Sequence, residues 1–503
     1  MATTLELPNV QVLPEVAAFV RRPQLMLIDG EFREGRGART FATYDPATGG
    51  QLADVAEATE SDIDDAVSAA RRALDGPWSR MTPADRERQL LKLADLVERD
   101  AEFLAELDSL DSGKPVSAAR AGDVPLSIAC LRYFAGWATK IAGDVLSPDV
   151  PDAFVYTRKQ PVGVVGAIIP WNFPIMQATW KLGPALAAGC TVILKPAEQT
   201  PLSALRLAEL TVEAGLPPGV VNVCPGFGET AGAALVEHPG VDKITFTGSL
   251  EVAKRIVRGS ADSLKHVSLE LGGKSPNIVL ADADLGQAAS AAADAIFANT
   301  GQVCSAGSRL LVERQAFDEV VDAVVEKAQV LKMGPGMSPE TTLGPLVSDE
   351  QLARVRGYVQ QGIGEGAQVA AGGSELRSDR GLSAGYFVEP TVLLDVDDRM
   401  TVAREEIFGP VLVAQPFDSL DEVARRANDT NYGLSAAVWT RDIAKAHRMA
   451  HALDSGTVWI NCYNYYDVGV PWGGFKQSGY GRDCGREGLE KYLQTKAVWT
   501  SLQ

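Results

Sequence analysis

Apolar and polar positions change period several times along the chain, and the changes mark its organisation. Near the start, short apolar runs within Leu25–Phe32 flank Asp29-Gly30, a pairing that favours a two-residue hairpin. Helical periodicity follows. One amphipathic helix is predicted from Thr59 to just before Gly76-Pro77. A second takes Thr82 as N-cap and Pro83 as its first residue, and apolar positions at Leu90, Leu93, Val97, Leu104 and Leu107 carry it past residue 100.

From Val164 the period shortens. Five runs rich in β-branched residues, Val164–Ile169, Thr191–Leu194, Val220–Val223, Lys243–Thr247 and Val267–Leu271, alternate with helical segments. That alternation predicts crossover units: an α/β fold with a parallel, Rossmann-like sheet covered on both faces, whose ligands bind at the carboxyl ends of the strands. The second half restarts the pattern with a helix from about Asp284 to Phe297, a strand at Leu310–Glu313 and a helix at Phe317–Leu331, and reads as a second α/β domain. Two further strands, Ala153–Lys159 and Lys496–Thr500, lie outside both series.

Composition narrows the class. Over 503 residues, 46% apolar and 22% charged is an ordinary globular balance, with length for two or three domains. A net charge of −18 argues against nucleic acid and anionic membrane as partners, since both reward clustered Lys and Arg. Six scattered cysteines, none in CxxC spacing, do not make a disulfide framework. With no signal-peptide pattern at the start and no run of 18 apolar residues, a soluble cytoplasmic protein is expected.

Candidate chemistry lies after the predicted strands and around one cysteine. Cys304, in Phe297-Ala-Asn-Thr-Gly-Gln-Val-Cys-Ser-Ala-Gly-Ser-Arg309, follows an alanine-rich helix among small and polar residues. It reads either as a nucleophile favoured by nearby backbone N–H groups or as a buried small hydrophobe. Asn172, between Pro170 and Pro174, is either a fixed amide donor or a turn residue bonding its own backbone. Lys195 and Glu198 can hold the hydroxyls of a ribose or form a surface ion pair. Gly226–Gly232 fits GxGxxA but follows the third strand rather than the first, so it is a weak dinucleotide signal. Thr247-Gly248-Ser249 opens a helix and offers free N–H groups to a phosphate. Glu270, in an apolar strand ending in Gly272-Gly273, is a general base raised by burial or a partner of Lys274. His447 and His451 have zinc spacing, but Arg448 stands where a metalloprotease glutamate would be and no third ligand is evident, so no metal is expected.

Taken together, Pro170–Pro174, Lys195–Glu198, Phe246–Ser249, Leu269–Pro276, Phe297–Ser308, Glu406–Val411 and Pro471–Arg482 resemble, in order, the motifs of the aldehyde dehydrogenase superfamily of NAD(P)-dependent oxidoreductases. The resemblance runs from about Leu25 to Lys496. It implies Cys304 as nucleophile, Glu270 as general base and Asn172 as side-chain oxyanion donor. It implies Lys195 and Glu198 at the adenosine ribose, Trp171, Gly248 and Ser249 at the pyrophosphate, and Glu406 with Phe408 at the nicotinamide riboside. Ile168, Gly228 and Leu271 complete the expected NAD seat. Glu198 favours NAD over NADP, because its carboxylate accepts from a 2′-hydroxyl and repels a 2′-phosphate.

The resemblance further implies an NAD-binding domain over 1–141 and 161–272, a catalytic domain over 273–480, and an oligomerisation arm from 142–160 and 481–503. A homodimer or homotetramer is therefore expected. Phe173, Gln177, Trp180, Tyr466 and Trp472 would line the entry tunnel, and four of these five are aromatic. Such walls suit an aryl or hydrophobic aldehyde. Leu131–Lys140 and the Gly481-Arg482-Asp483 variant look most like the phenylacetaldehyde dehydrogenase branch; a quaternary ammonium or an aliphatic aldehyde is the alternative. The sequence departs from the family pattern at Ala253, where a glycine is common, and at Asp483, where a glutamate is common and whose part in proton relay is left open.

Overall fold

The computed structural model describes residues 12–373, 382 and 384–503. The expected hairpin is present. Met26–Ile28 and Glu31–Arg33 pair antiparallel through Ile28 and Glu31, and Asp29 and Gly30 both turn at positive φ, 56° and 80°, as a type I′ turn requires. Thr59 and Thr82 each close a capping box, with Asp62 and Asp85, at the starts of helices Glu60–Asp75 and Pro83–Arg99. The second helix is shorter than its periodicity predicts. Asp100 leaves helical geometry at ψ 17°, its carboxylate bonded to Arg99 and Arg206, and Leu104 and Leu107 belong to a separate helix, Ala101–Ser112. The apolar stripe continues through the break because both helices pack on one core.

Five parallel strands build the first large sheet, in the spatial order His266–Glu270, Lys243–Thr247, Val164–Ile168, Thr191–Lys195, Val221–Val223. The hairpin adds antiparallel strands at one edge and Gly479–Tyr480 at the other. Chain order reverses between Val164–Ile168 and Lys243–Thr247, so the crevice beyond their carboxyl ends is the topological switch point where such sheets bind ligands. The three strands at its centre are buried along their whole length, which is why they read as continuous apolar runs.

A second sheet holds six parallel strands, in the order Thr391–Leu394, Val411–Phe417, Arg309–Glu313, Pro276–Val279, Ser435–Trp439 and Thr457–Ile460, with Gln368–Ala371 antiparallel at the edge. A third is purely antiparallel: Ala153–Pro161 pairs with Leu493–Ser501 over nine residues and with Val145–Leu146. The two strands predicted from opposite ends of the chain therefore pair with each other. Residues 481–492 stay out of that small sheet, and Asp483, Cys484 and Tyr492 among them are fully buried.

Candidate active site

Asn172 and Glu270 leave the first sheet at its carboxyl edge; Cys304 approaches from the amino edge of the second. Strand Val164–Ile168 runs into Ile169–Phe173, where Ile169 N donates to the Lys195 carbonyl and Thr200 Oγ1 to the Trp171 carbonyl, before helix Pro174–Ala188 begins with proline at its first position. This pinned turn holds Asn172 inward, 5% exposed, with Nδ2 donating to the Gln302 carbonyl at 2.9 Å. An amide nitrogen carries two hydrogens, so one N–H remains for a ligand.

The loop that carries Cys304 is built on strain. Helix Leu285–Phe297, capped by Asp284, ends in Asn299, Thr300 and Gly301, all at positive φ. Asn299 Nδ2 donates to the carbonyls of Asn172 and Gln302, Thr300 Oγ1 to Gly344 O, and Val347 N to Gln302 Oε1. These bonds over-determine the loop. It delivers Cys304, half-buried, with its own N–H and that of Ser305 directed at the sulfur. Burial and the carboxyl groups of Glu406 and Glu270 nonetheless push the thiol up to about 12, so at rest it holds its proton.

Glu270 ends strand His266–Glu270 and is 4% exposed, with neither carboxylate oxygen bonded within the protein. Burial, then the neighbouring Asp483, raise it well above the usual carboxylate range, and Lys181, Lys491 and Arg482 oppose them. A carboxyl in that state is a strong enough base to accept a proton from water. The alternative pairing with Lys274 does not occur: the Lys274 ammonium is itself buried without a hydrogen-bond partner and is lowered to about 7.

The switch-point crevice fits a dinucleotide. Lys195 Nζ, buried, bonds Glu198 Oε2 at 3.1 Å, and the two together close one end. Ser249 caps the ten-residue helix Leu250–Gly259, whose first turn is open to solvent, so backbone N–H groups and the helix dipole face a phosphate position. Gly228 is exposed with open space where a side chain would stand. Trp171 meets Phe408 edge to face at 5.2 Å across the crevice. Glu406 accepts from Gly273 N at 3.1 Å and is raised by burial to about 7; a Cβ on Gly272 would lie 1.9 Å from its Oε2, so only glycine leaves this carboxylate room. Ile168 and Leu271 sit buried at the strand ends beneath.

An aromatic wall stands beside the sulfur. Trp472 packs on Tyr466 at 5.1 Å and on Trp459 at 6.1 Å, and Tyr466 OH bonds Ser305 Oγ at 2.7 Å. Phe173, Gln177 and Trp180 follow one face of helix Pro174–Ala188; Gln177 Oε1 and Trp180 Nε1 are buried without a protein partner, and Lys114 lies 4.0 Å over the Phe173 ring. His447 and His451 are both exposed on helix Ile443–Ala452, and among the described residues no group of three metal-ligating side chains occurs.

Several groups at the site carry no sequence signal. Tyr463 OH holds the Ser305 carbonyl at 2.7 Å. Gln351 and Arg354, from a helix at Asp349–Glu365, bond the carbonyls of Phe408 and Glu406. Lys181 meets Asp483 from 302 residues away. Nothing in their local sequence distinguishes them from residues of a buried helix or a surface face.

The model of the Aldehyde dehydrogenase family matches residues 32–498. An aldehyde dehydrogenase from Bacillus cereus, solved as its NAD+ complex, is 52% identical with a TM-score of 0.96, covering 99% of this chain and 100% of its own. The indole-3-acetaldehyde dehydrogenase AldA of P. syringae, solved with NAD+ and IAA, is 44% identical with a TM-score of 0.92, covering 95% and 96%. A betaine aldehyde dehydrogenase of Staphylococcus aureus in complex with NAD+ is 39% identical with a TM-score of 0.95, covering 97% of each chain. The chain belongs to the aldehyde dehydrogenase family and is an aldehyde dehydrogenase.

Proposed function

We propose that this aldehyde dehydrogenase oxidises an aromatic or hydrophobic aldehyde, with phenylacetaldehyde as its representative, to the carboxylic acid with NAD as oxidant. The observation that carries the reading is the meeting of three groups from separate elements. Glu270 from the first sheet and Glu406 from the second lobe both act on the Cys304 thiol, and Asn172 is bonded to the loop that presents it.

Cys304 reacts as the thiolate, its proton passing to solvent. The sulfur then adds to the aldehyde carbon, and the carbonyl oxygen becomes an oxyanion held by the free Asn172 N–H and the Cys304 backbone N–H. Donors placed where charge develops supply about 3–4 kcal/mol each in related acyl-transfer sites. NAD, when bound, supplies a two-electron acceptor for the hydride that leaves the thiohemiacetal carbon. Glu270 next takes a proton from water, whose oxygen attacks the resulting thioester, and the C–S bond breaks to release acid and free Cys304.

Lys195 and Glu198 would hold the adenosine ribose, Trp171, Gly248 and Ser249 the pyrophosphate, and Glu406 with Phe408 the nicotinamide riboside. Ile168, Gly228 and Leu271 line that seat. On this reading residues 1–141 and 161–272 form the NAD-binding domain, 273–480 the catalytic domain, and 142–160 with 481–503 an arm that pairs copies of the chain in a cytoplasmic dimer or tetramer. Phe173, Gln177, Trp180, Tyr466 and Trp472 form the substrate tunnel.

The cluster of Trp459, Tyr466 and Trp472 rings supports an aryl substrate by edge-on contact. The same ring faces favour a quaternary ammonium as second reading, since a cation over several π faces gains about 2 kcal/mol or more when desolvated. Comparing kcat/KM for phenylacetaldehyde, benzaldehyde, hexanal and betaine aldehyde, with NAD and with NADP, decides: the aryl pair should lead with NAD, and betaine aldehyde in first place would overturn the aryl reading. Product analysis with and without coenzyme A should give the free acid in both.

A further inference from the structure

Glu270 faces a buried charge cluster that its own chemistry does not require. Asp483 is 1% exposed and lies between two ammonium groups: Lys181 Nζ bonds its Oδ2 at 2.5 Å, and Lys491 Nζ bonds its Oδ1. Lys181 comes from helix Pro174–Ala188, whose first residue lies two positions after Asn172; Lys491 stands two residues before strand Leu493–Ser501 of the small sheet. The Glu270 carboxylate lies against Gly473, where a Cβ would approach Oε1 to 2.6 Å. The charged and titratable groups acting on it are Asp483, Lys181, Lys491 and Arg482, with Cys304 on the side of the nucleophile. Behind them Lys243, buried, and Lys491 both lie over the Tyr492 ring, at 5.5 and 5.3 Å.

The signs of these charges decide what the cluster does. Asp483 exchanges both backbone hydrogen bonds with Trp472, at 2.7 Å each, beside the Gly473 that lies against Glu270, and a carboxylate so placed disfavours the ionised form of Glu270. One lysine on that carboxylate would cancel its charge and leave Glu270 to its desolvation. Two lysines against one carboxylate leave one positive charge in excess inside an apolar wall, where charge is poorly screened. The arrangement is also self-consistent: Asp483, bonded on both oxygens, is lowered to about 2 and stays ionised, and Lys491 is raised by it. Asp483 is thus a fixed anion whose role is to anchor two cations, and the second of them supplies the excess.

We propose that Lys491 is a positioning residue for the hydrolytic half-reaction: through Asp483 it holds Lys181 in place and provides the surplus positive charge that opposes the effect of burial on the Glu270 carboxylate and so favours its use as base. The inference rests on Glu270 being the base for thioester hydrolysis. It gives Asp483 a role other than passing the proton, because an aspartate lowered to about 2 between two ammonium groups is a weak proton acceptor.

The test separates the two half-reactions in the intact enzyme. Pre-steady-state NADH formation reports acylation, and the rate of acid release across pH reports hydrolysis. Hydrolysis is lost as pH falls through the Glu270 value, and removing a positive charge raises that value. Lys491→Met should therefore move the acid limb of hydrolysis upward by about one pH unit while leaving the NADH burst amplitude as in the wild type. Lys491→Arg should restore the limb, and Asp483→Asn, which removes the anion, should move it downward. If Lys491→Met does not fold, Lys491→Gln and Asp483→Asn read the same opposed shifts. A Lys491→Met enzyme that is less heat-stable but keeps the wild-type limb overturns the inference, as does an Asp483→Asn shift in the same direction as Lys491→Met. Glu270→Gln distinguishes the levels of failure. If it abolishes the limb and Lys491→Met leaves it in place, only the role of Lys491 falls; if Glu270→Gln leaves the limb unchanged, the base assignment falls with it.

Discussion

Asn172 Nδ2 donates to the Gln302 carbonyl at 2.9 Å across 130 residues of sequence, so the proposed oxyanion donor and the loop that carries Cys304 are positioned by the same bond. Removing the amide should cost in two ways, through a lost donor and a loosened loop. Asn172→Ala is expected to lower kcat by about 10²–10³-fold with little change in the dissociation constant for NAD. Steady-state rates with NAD titrated by protein fluorescence check this, and a loss under tenfold would remove Asn172 from the oxyanion site.

The Cys304 thiol is held up to about 12 by burial and by the carboxyl groups around it. Thiolate forms only above that value, so alkylation of the cofactor-free enzyme by iodoacetamide should still be accelerating at pH 9, roughly tenfold per unit. A rate that levels off near pH 7 would show a preformed thiolate instead.

Gly301 turns at φ 72°, and a Cβ there would come within 2.1 Å of the Gly409 carbonyl. Neither strain nor overlap can be relieved without moving the loop. Gly301→Ala should destabilise the protein by more than about 1 kcal/mol and reduce kcat far more than KM, as thermal unfolding and kinetics together would report.

The Glu198 carboxylate lies beside buried Lys195 at 3.1 Å, at the end of the crevice proposed above to hold the adenosine ribose. Glu198→Gln removes a negative charge and keeps the shape. It should raise the NADP-to-NAD ratio of kcat/KM on the order of tenfold, equivalent to about 1.4 kcal/mol. An unchanged ratio would place the cofactor's 2′ position elsewhere.

Local signals read well where a local cause forms the structure. The Asp29-Gly30 turn, both threonine capping boxes and the strand Lys243–Thr247 occur where the sequence predicts them, because turn dihedrals, caps and a buried apolar run each depend on a few adjacent residues. Periodicity failed at Asp100, where two helices share one core and their apolar stripe runs through the break unchanged.

By itself, then, the sequence determined the two α/β lobes, the presence of two short strands outside them, and the residue types at the cleft, since these follow from chain-local patterning and from the order of recognisable motifs. Only the tertiary structure decided that Cys304 sits at the amino edge of its own sheet, opposite the carboxyl edge that carries Glu270. It also decided that Asp483 lies between Lys181 and Lys491. The reason is the same in both cases: a charge acts over a few ångströms of space rather than along the chain, and burial, which sets how strongly it acts, belongs to no single segment.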